Sequence, residues 1–343
     1  MSRRVVAQLG EVIREAGFDA FALMPARPVE RMLPLLRQAQ EEGRYPDFVE
    51  QDAAKRIDPK NLQGSAKTVL TLAVSYNSGD PGPTPPLHGT ISRYAWGLDY
   101  HRVLPERMEQ VISYLRQEHG ARECTKAVDT TFLVDRALAV EAGLGFPGSN
   151  CAVYVPPFGS WVFLAELLVD VELPAFSPGP TQGGWACPAN CDRCLRACPT
   201  GALLSPGRIK PQRCLSYLTQ MSGSIPLEFR RKLGSRLWGC DTCQQVCPLN
   251  QQAPLTRHLE FAPLVGPHVP LLPLLELSGR EFKEQFGHTA LSWRGKNILQ
   301  RNACLILGNR REEAALPALQ KTAQRHPSPL VREAAAWAVE QFA

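Results

Sequence analysis

Cys187-Pro-Ala-Asn-Cys191-Asp-Arg-Cys194-Leu-Arg-Ala-Cys198-Pro199, then Cys214, then Cys240-Asp-Thr-Cys243-Gln-Gln-Val-Cys247-Pro248 is the stretch on which the reading of this chain turns. Eight of the eleven cysteines lie in it, and eight thiolates are enough for two 4Fe-4S clusters. Two C-x2-C pairs can also hold tetrahedral zinc, although zinc would leave four cysteines and both Cys-Pro steps without a purpose. Disulfides are the third reading. They suit an oxidising compartment, whereas Glu11, Arg14, Glu15 and Asp19 interrupt any apolar run of the kind a secretory leader needs, so reduced thiols are expected.

The two C-x2-C-x3-C-P runs resemble those of two-cluster ferredoxins, in which the cysteine before proline ligates the other cluster. On that resemblance Cys191 and Cys194 share a cluster with Cys247, and Cys240 and Cys243 share the second with Cys198. Cys187 and Cys214 complete the two sets. A ferredoxin would carry its first cysteine at position 188, where this chain has Pro188, so Cys187 is offset by one residue. Cys124, Cys151 and Cys304 lie outside both motifs and read as ordinary buried thiols.

The chain has 343 residues, 44% of them hydrophobic, which predicts two or three domains with real cores. No stretch approaches the ~18 apolar residues of a membrane span, so a cytoplasmic protein is expected. Its net charge of +5 is unevenly spread. Between Leu203 and Gly239 the cations Arg208, Lys210, Arg213, Arg230, Arg231, Lys232 and Arg236 face the single acid Glu228. Such clustering suits a polyanion, and equally a solvated charged face.

The stretch near the start reads as an amphipathic helix with Val5, Val6, Leu9, Val12 and Ile13 on one face. Strand-like runs follow at Thr68 to Tyr76, Ala152 to Val155 and Trp161 to Val169, predicting an α/β arrangement over residues 1–178. The Pro/Gly-rich stretch Pro174 to Gly184 marks a boundary to a cysteine-rich domain at 179–255. Residues 256–343 turn helical, most clearly at Leu291 to Asn309, Glu312 to Gln324 and Pro329 to Phe342. Ala303 and Leu307 are echoed by Ala335 and Val339, an offset of 32 that fits one and a half HEAT-type repeats or a plain three-helix cap. The expected class is α+β: an N-terminal α/β domain, a ferredoxin-like double 4Fe-4S domain and a C-terminal all-α HEAT-like domain.

No G-x-G-x-x-G loop indicates a dinucleotide. Asp99-Tyr100-His101 begins the D-x-H-x-x-G signature of proteins that give a histidine to cobalt, but position 104 is leucine. The N-terminal domain's ligand stays open on these residues alone.

Several longer segments carry a resemblance. Thr130-Thr-Phe-Leu-Val-Asp135-Arg136-Ala-Leu-Ala-Val-Glu141-Ala-Gly143, Ser92-Arg-Tyr-Ala-Trp-Gly-Leu-Asp99-Tyr100-His101, Pro157-Phe-Gly159-Ser160-Trp161, Cys214-Leu-Ser216-Tyr and Trp238-Gly-Cys240-Asp-Thr-Cys243 are similar to those of the epoxyqueuosine reductases, and with the double cluster motif and helical tail the likeness covers essentially the whole chain. It implies base-off cobalamin in the N-terminal domain, two 4Fe-4S clusters beside it and a helical tail that helps grip tRNA. The implied reaction is the last step of queuosine biosynthesis, removal of the epoxide oxygen from epoxyqueuosine at the wobble position by cob(I)alamin fed from the clusters. Where many relatives have Gly-Lys-Asn, this chain has Gly148-Ser149-Asn150, so no role for a lysine carries over.

The same resemblance implies site residues. Asp135 aligns with the family's proton donor and would have to stay protonated near neutral pH, about 3 units above the ordinary carboxyl; an ion pair with Arg136 would act the other way. His101 and Tyr100 are secondary relay candidates or core residues. Arg56, Gly159, Ser160, Trp161, Ser216, Gly239 and Asp241 are the other residues expected at cobalamin. Arg230, Arg231, Lys232, Arg294, Lys296 and Arg301 are expected at tRNA phosphates. Expected partners are tRNAs with a G-U-N anticodon (Asp, Asn, His, Tyr) and a low-potential donor such as flavodoxin or ferredoxin, acting on a monomer. A corrinoid reductive dehalogenase and a ferredoxin-like carrier with docking repeats are the competing readings.

Overall fold

The computed structural model describes residues 2–46, 48–179 and 186–343, so residues 180–185 of the proposed boundary loop lie outside the described residues. Its central sheet orders the strands Ala20–Pro25, Thr68–Ser75, Val162–Val169 and Cys124–Ala127, and every pairing is antiparallel. Helix and strand alternate as expected, but without parallel crossovers. Thr68–Ser75 (TVLTLAVS) is buried along its whole length, as an apolar run covered on both faces must be.

Alternate side chains of that strand meet different cores, because successive residues point to opposite faces. Leu70, Leu72 and Val74 pack with the N-terminal helix Ser2–Glu15 and the long helix Tyr100–His119. Val69 and Ala73 pack instead with the short helix Asp135–Glu141. Asp99 opens the long helix by accepting the His101 N–H, and Gly120 closes it in the left-handed region at φ 68°.

A second sheet ties the chain together. His88–Ile91 pairs in parallel with Arg236–Trp238 and antiparallel with His268–Pro270, so each of the three sequence segments contributes one strand. The first core cluster runs on through Trp96, Leu218, Trp238, Leu271, Leu305 and Ala335. The segments 1–178, 179–255 and 256–343 are therefore interlocked by shared core and sheet.

The tail holds the expected helices at Lys296–Arg310, Leu316–Arg325 and Pro329–Glu340. Ala303 and Ala335, the pair offset by 32, are both fully buried. A Cβ on Gly308 would come within 2.7 Å of Ala338 Cα, so the first and third helices pack backbone against backbone. Among the described residues no helix is long and apolar enough to cross a membrane.

Candidate active site at the junction of the sheet and the cysteine-rich segment

Asp135 is the first residue of the Asp135–Glu141 helix, which lies on the sheet face that carries Glu166. Glu166 sits in the middle of Val162–Val169, opposite Thr71 on one neighbour and Ala127 on the other, and is 0% exposed. Asp135 Oδ1, both Glu166 carboxyl oxygens and Thr71 Oγ1 are buried with no hydrogen-bond partner of ordinary geometry. Burial, with Asp129 adding its charge, pushes the Asp135 carboxyl up to about 7, while Glu166 and the N–H groups near Asp129 pull against that rise. Burial and the charges of Asp135 and Asp129 drive Glu166 well above the usual carboxylate range. Arg136 offers no strong ion pair: its Nη1 donates to the Cys151 carbonyl at 2.6 Å. Arg136 lowers the Asp135 carboxyl only slightly, so Asp135 keeps a substantial protonated fraction near pH 7.

Tyr100 donates its hydroxyl to Asp129 Oδ2 at 2.9 Å and stacks on Phe163 with centroids 4.2 Å apart. His101 Nδ1 lies 2.7 Å from Asp99 Oδ1 at the start of the long helix. Tyr100 therefore acts on Asp135 through Asp129, and His101 is held by its own helix cap. Arg56 Nε donates to the Phe132 carbonyl at 3.3 Å, in the loop that delivers Asp135, and its guanidinium lies 5.3 Å from the Tyr45 ring.

The turn Gly159-Ser160-Trp161, expected at cobalamin, packs on the segment after Cys247. Gly159 has φ 62°, and a Cβ there would meet Asn250 Oδ1 at 2.1 Å. Ser160 N donates to Asn250 Oδ1 and Ser160 Oγ to Gln244 Oε1, both at 2.8 Å. Trp161 is buried with the Arg93 guanidinium 3.9 Å from its ring. The glycine is needed so that the segment after Cys247 can approach, which joins the two halves of the site. The Asp241 side chain is likewise spent inside the protein: it accepts from Ser92 Oγ and, at 2.8 Å, from Arg93 N. Gly239, at φ 70°, leaves no room for a Cβ beside Ser92 and donates its N–H to Thr219 Oγ1. Ser216 is half-buried on the helix Leu215–Gln220.

Several of the eight cysteines lie close enough to affect one another's thiols. Cys194 is raised by burial and further by Cys187 and Cys191. Burial and Cys240 push Cys214 up to about 11, with Cys198 also contributing. Cys243 is raised by burial, Cys240 and Cys214, and feels Cys194 across the gap. Cys194 thus neighbours Cys187 and Cys191, and Cys214 neighbours Cys240 and Cys198, while Cys247 lies against Tyr154. Burial lifts Cys198, but the N–H groups of Leu203, Thr200 and Ala202 outweigh it and hold the thiol low, as N–H donors to cluster sulfurs do. Cys187, despite its offset, accepts from Ser149 N at 3.3 Å and Ser149 Oγ at 3.5 Å. The serine standing where relatives have lysine therefore anchors that cysteine.

Two of the cations expected at phosphates are structural. Arg301 is 0% exposed; its donors go to the carbonyls of Met221, Gly223, Leu218 and Thr219 and to Asn302 Oδ1. It closes the C-terminal end of the Leu215–Gln220 region, where carbonyls lack helical partners. Arg230 is buried too, bonded to Glu333 and to the Ile225 carbonyl. Neither guanidinium is free for a phosphate. Arg231 and Lys232 are exposed, and Arg294 and Lys296 are half-buried. Glu166, Asp129 and Asn250 were missed in sequence; a lone glutamate inside the apolar run VFLAELLV was the available signal.

A groove of about 530 Å³ lies between the N-terminal helix and Pro174 to Phe176. It is lined by Phe21, whose core lies on the sheet face opposite Asp135, and is not part of this site.

Three known families match along the chain: an epoxyqueuosine reductase QueG family (DUF1730) over residues 56–130, a 4Fe-4S double cluster binding domain over 187–250 and HEAT repeats over 294–343. An epoxyqueuosine reductase of Bacillus subtilis is 40% identical over 337 residues, 97% of this chain and 86% of that protein. One from Lactococcus garvieae is 39% identical over 341 residues, 98% of this chain and 95% of its own. A crystal structure of an epoxyqueuosine reductase with an epoxyqueuosine-modified tRNA-Tyr stem loop superposes with a TM-score of 0.93 at 38% identity, covering 100% of this chain and 91% of that one. The Bacillus subtilis enzyme with its catalytic loop swung out of the active site superposes with a TM-score of 0.91 at 37% identity, with the same coverage.

Proposed function

We infer the chemistry of this chain from its membership: it belongs to the epoxyqueuosine reductase family. It reduces the epoxide of epoxyqueuosine in tRNA to the cyclopentene of queuosine. The balance is two electrons and two protons taken up and one water released, with both C–O bonds of the epoxide broken and one C=C bond formed. The cysteine-rich segment binds iron–sulfur clusters, and we assign Cys187, Cys191, Cys194 and Cys247 to one and Cys198, Cys214, Cys240 and Cys243 to the other.

Cobalamin is the second cofactor we propose. Buried polar atoms without partners on Asp135, Tyr45 and Gln212 border the same junction, as a large polar ligand held there would require. Arg56, Ser216 and the backbone of the Gly239 turn would hold it. When bound, cobalamin supplies the strongly reducing nucleophile that no side chain can provide.

The protein's own part is proton supply and enclosure. Asp135, raised to about 7 by burial and by Asp129 and so still part-protonated at neutral pH, gives its proton to the departing epoxide oxygen. Glu166 stays protonated beneath it, and Tyr100 keeps Asp129 in place. Arg56 fastens the Phe132 end of the loop that carries Asp135.

tRNA is the partner, and Arg231, Lys232, Arg294 and Lys296 are the cations we place at its phosphates. We further propose tRNAs with a G-U-N anticodon, a donor such as flavodoxin or ferredoxin, a monomeric state and a cytoplasmic location. The observation that carries the reading is the raised carboxyl of Asp135, whose buried Oδ1 has no hydrogen-bond partner, in a chain that also carries a double-cluster cysteine segment. Nucleoside mass spectrometry of tRNA from cells lacking the gene tests it: epoxyqueuosine should replace queuosine, and unchanged queuosine would overturn it.

A further inference from the structure

Phe48, Tyr217 and Trp293 come from three distant parts of the chain and meet at the surface. The Phe48 ring stacks on Tyr217 with centroids 5.7 Å apart and planes 21° from parallel, and Trp293 meets Phe48 edge-on at 6.1 Å and 80°. Phe48 is 51% exposed and Trp293 52% exposed. Arg294 lays its guanidinium 3.8 Å from the Trp293 ring and 5.3 Å from that of Phe48. Its Nε is buried without a hydrogen-bond partner. Trp293 Nε1 donates to Gln220 Oε1 at 3.2 Å, which fixes the plane of the indole.

We propose that this aromatic group is a stacking platform for unpaired bases of the RNA substrate's anticodon loop. Aromatic faces left half in water lose the hydrophobic gain of burial, and a cluster of them is more than a scattered surface residue. Base stacking on such rings is the common way proteins hold single-stranded RNA, because unstacked bases in loops offer their π-faces to aromatic and guanidinium planes. Charge agrees, since the Arg294 guanidinium lies against the rings of Trp293 and Phe48.

The position agrees as well. Phe48 lies in the loop between Tyr45, whose ring carries the Arg56 guanidinium, and the helix Ala53–Ile57 that bears Arg56. Tyr217 is on the helix that begins directly after Cys214. The platform therefore borders both the Asp135 side and the cluster side of the site, where a base next to the reacting one would have to rest. This inference depends on the reading of tRNA as substrate.

The test is equilibrium binding of an epoxyqueuosine-modified RNA stem loop, and of the same stem loop with abasic sites flanking the modified position, to the cluster-loaded protein. Trp293→Ala and Phe48→Ala should each weaken the intact loop by roughly 5- to 150-fold, the worth of one stacked base. The abasic loop should lose far less on the same substitutions, and Trp293→Phe should restore most of the affinity. Unchanged affinity, or equal losses with intact and abasic loops, would overturn the platform, the second by making the contact one to the backbone. An intact loop bound as well by the variants, with weakened binding of the electron donor protein instead, would also overturn it. Conversion of the modified loop by the wild type is read separately, so failure of the reaction and failure of the platform are distinct results.

Discussion

Asp135, half-buried at the head of its helix, lies over Glu166, fully buried in the middle of the strand beneath it, and of the two raised carboxyls it is Asp135 that releases its proton near neutrality. Asp135 lifts Glu166 still further, whereas Glu166, neutral, steadies the ionised Asp135. The upper carboxyl can cycle while the lower keeps its proton.

Asp135→Asn should keep clusters and tRNA binding while single-turnover conversion of epoxyqueuosine falls by about two to four orders of magnitude, the usual worth of a general acid. The wild-type rate should decline as pH rises through about 7, where the protonated form of Asp135 is lost. Rates near wild type in the Asn variant would make Asp135 structural.

Glu166→Gln replaces a protonated acid by a neutral amide of the same shape. A carboxyl raised in the folded state binds its proton more tightly than in the unfolded chain, so it costs stability as pH climbs above the ordinary carboxylate range towards the folded value. The difference in melting temperature between Glu166→Gln and wild type should therefore move in the variant's favour as pH rises. A difference independent of pH would mean that Glu166 is charged in the folded protein.

Arg301→Met should lower stability by about 2–5 kcal/mol, since it strips donors from buried carbonyls of Leu218, Thr219, Met221 and Gly223. It should leave the salt slope of tRNA binding unchanged. Lys232→Ala should do the reverse, sparing stability and reducing that slope by about one. Chemical denaturation and binding titrations at several salt concentrations separate the two roles.

Anaerobic reconstitution should give about eight irons and eight sulfides per chain, four of each for every set of four cysteines. Cys187→Ala should lose cluster content. Full iron in that variant would show that another group completes the site, and zinc without iron would overturn the assignment.

Much of the site could be read from spacing alone, because a cluster demands thiolates at short, repeated intervals and those intervals survive in one dimension. Asp135 was recognisable through the segment around it. Arg301 and Arg230 were not distinguishable from surface cations, since a basic residue in sequence carries no sign of whether carbonyls or solvent will meet its guanidinium. At Gly159 the group that comes close is Asn250, 91 residues away in the chain, which nothing in the local sequence announces.

The sequence by itself determined the chemistry available: eight thiolates in cluster spacing, an apolar strand with one acid inside it, and helices for the tail. Only the tertiary structure decided which charges are buried and what faces them. Burial beside Asp129, partly offset by Glu166, is what makes Asp135 an acid usable at neutral pH, and that effect depends on exclusion of water and on charges brought together from separate elements. The same holds for the three-stranded sheet, in which His88–Ile91, Arg236–Trp238 and His268–Pro270 join three segments whose local patterns contain no hint of one another.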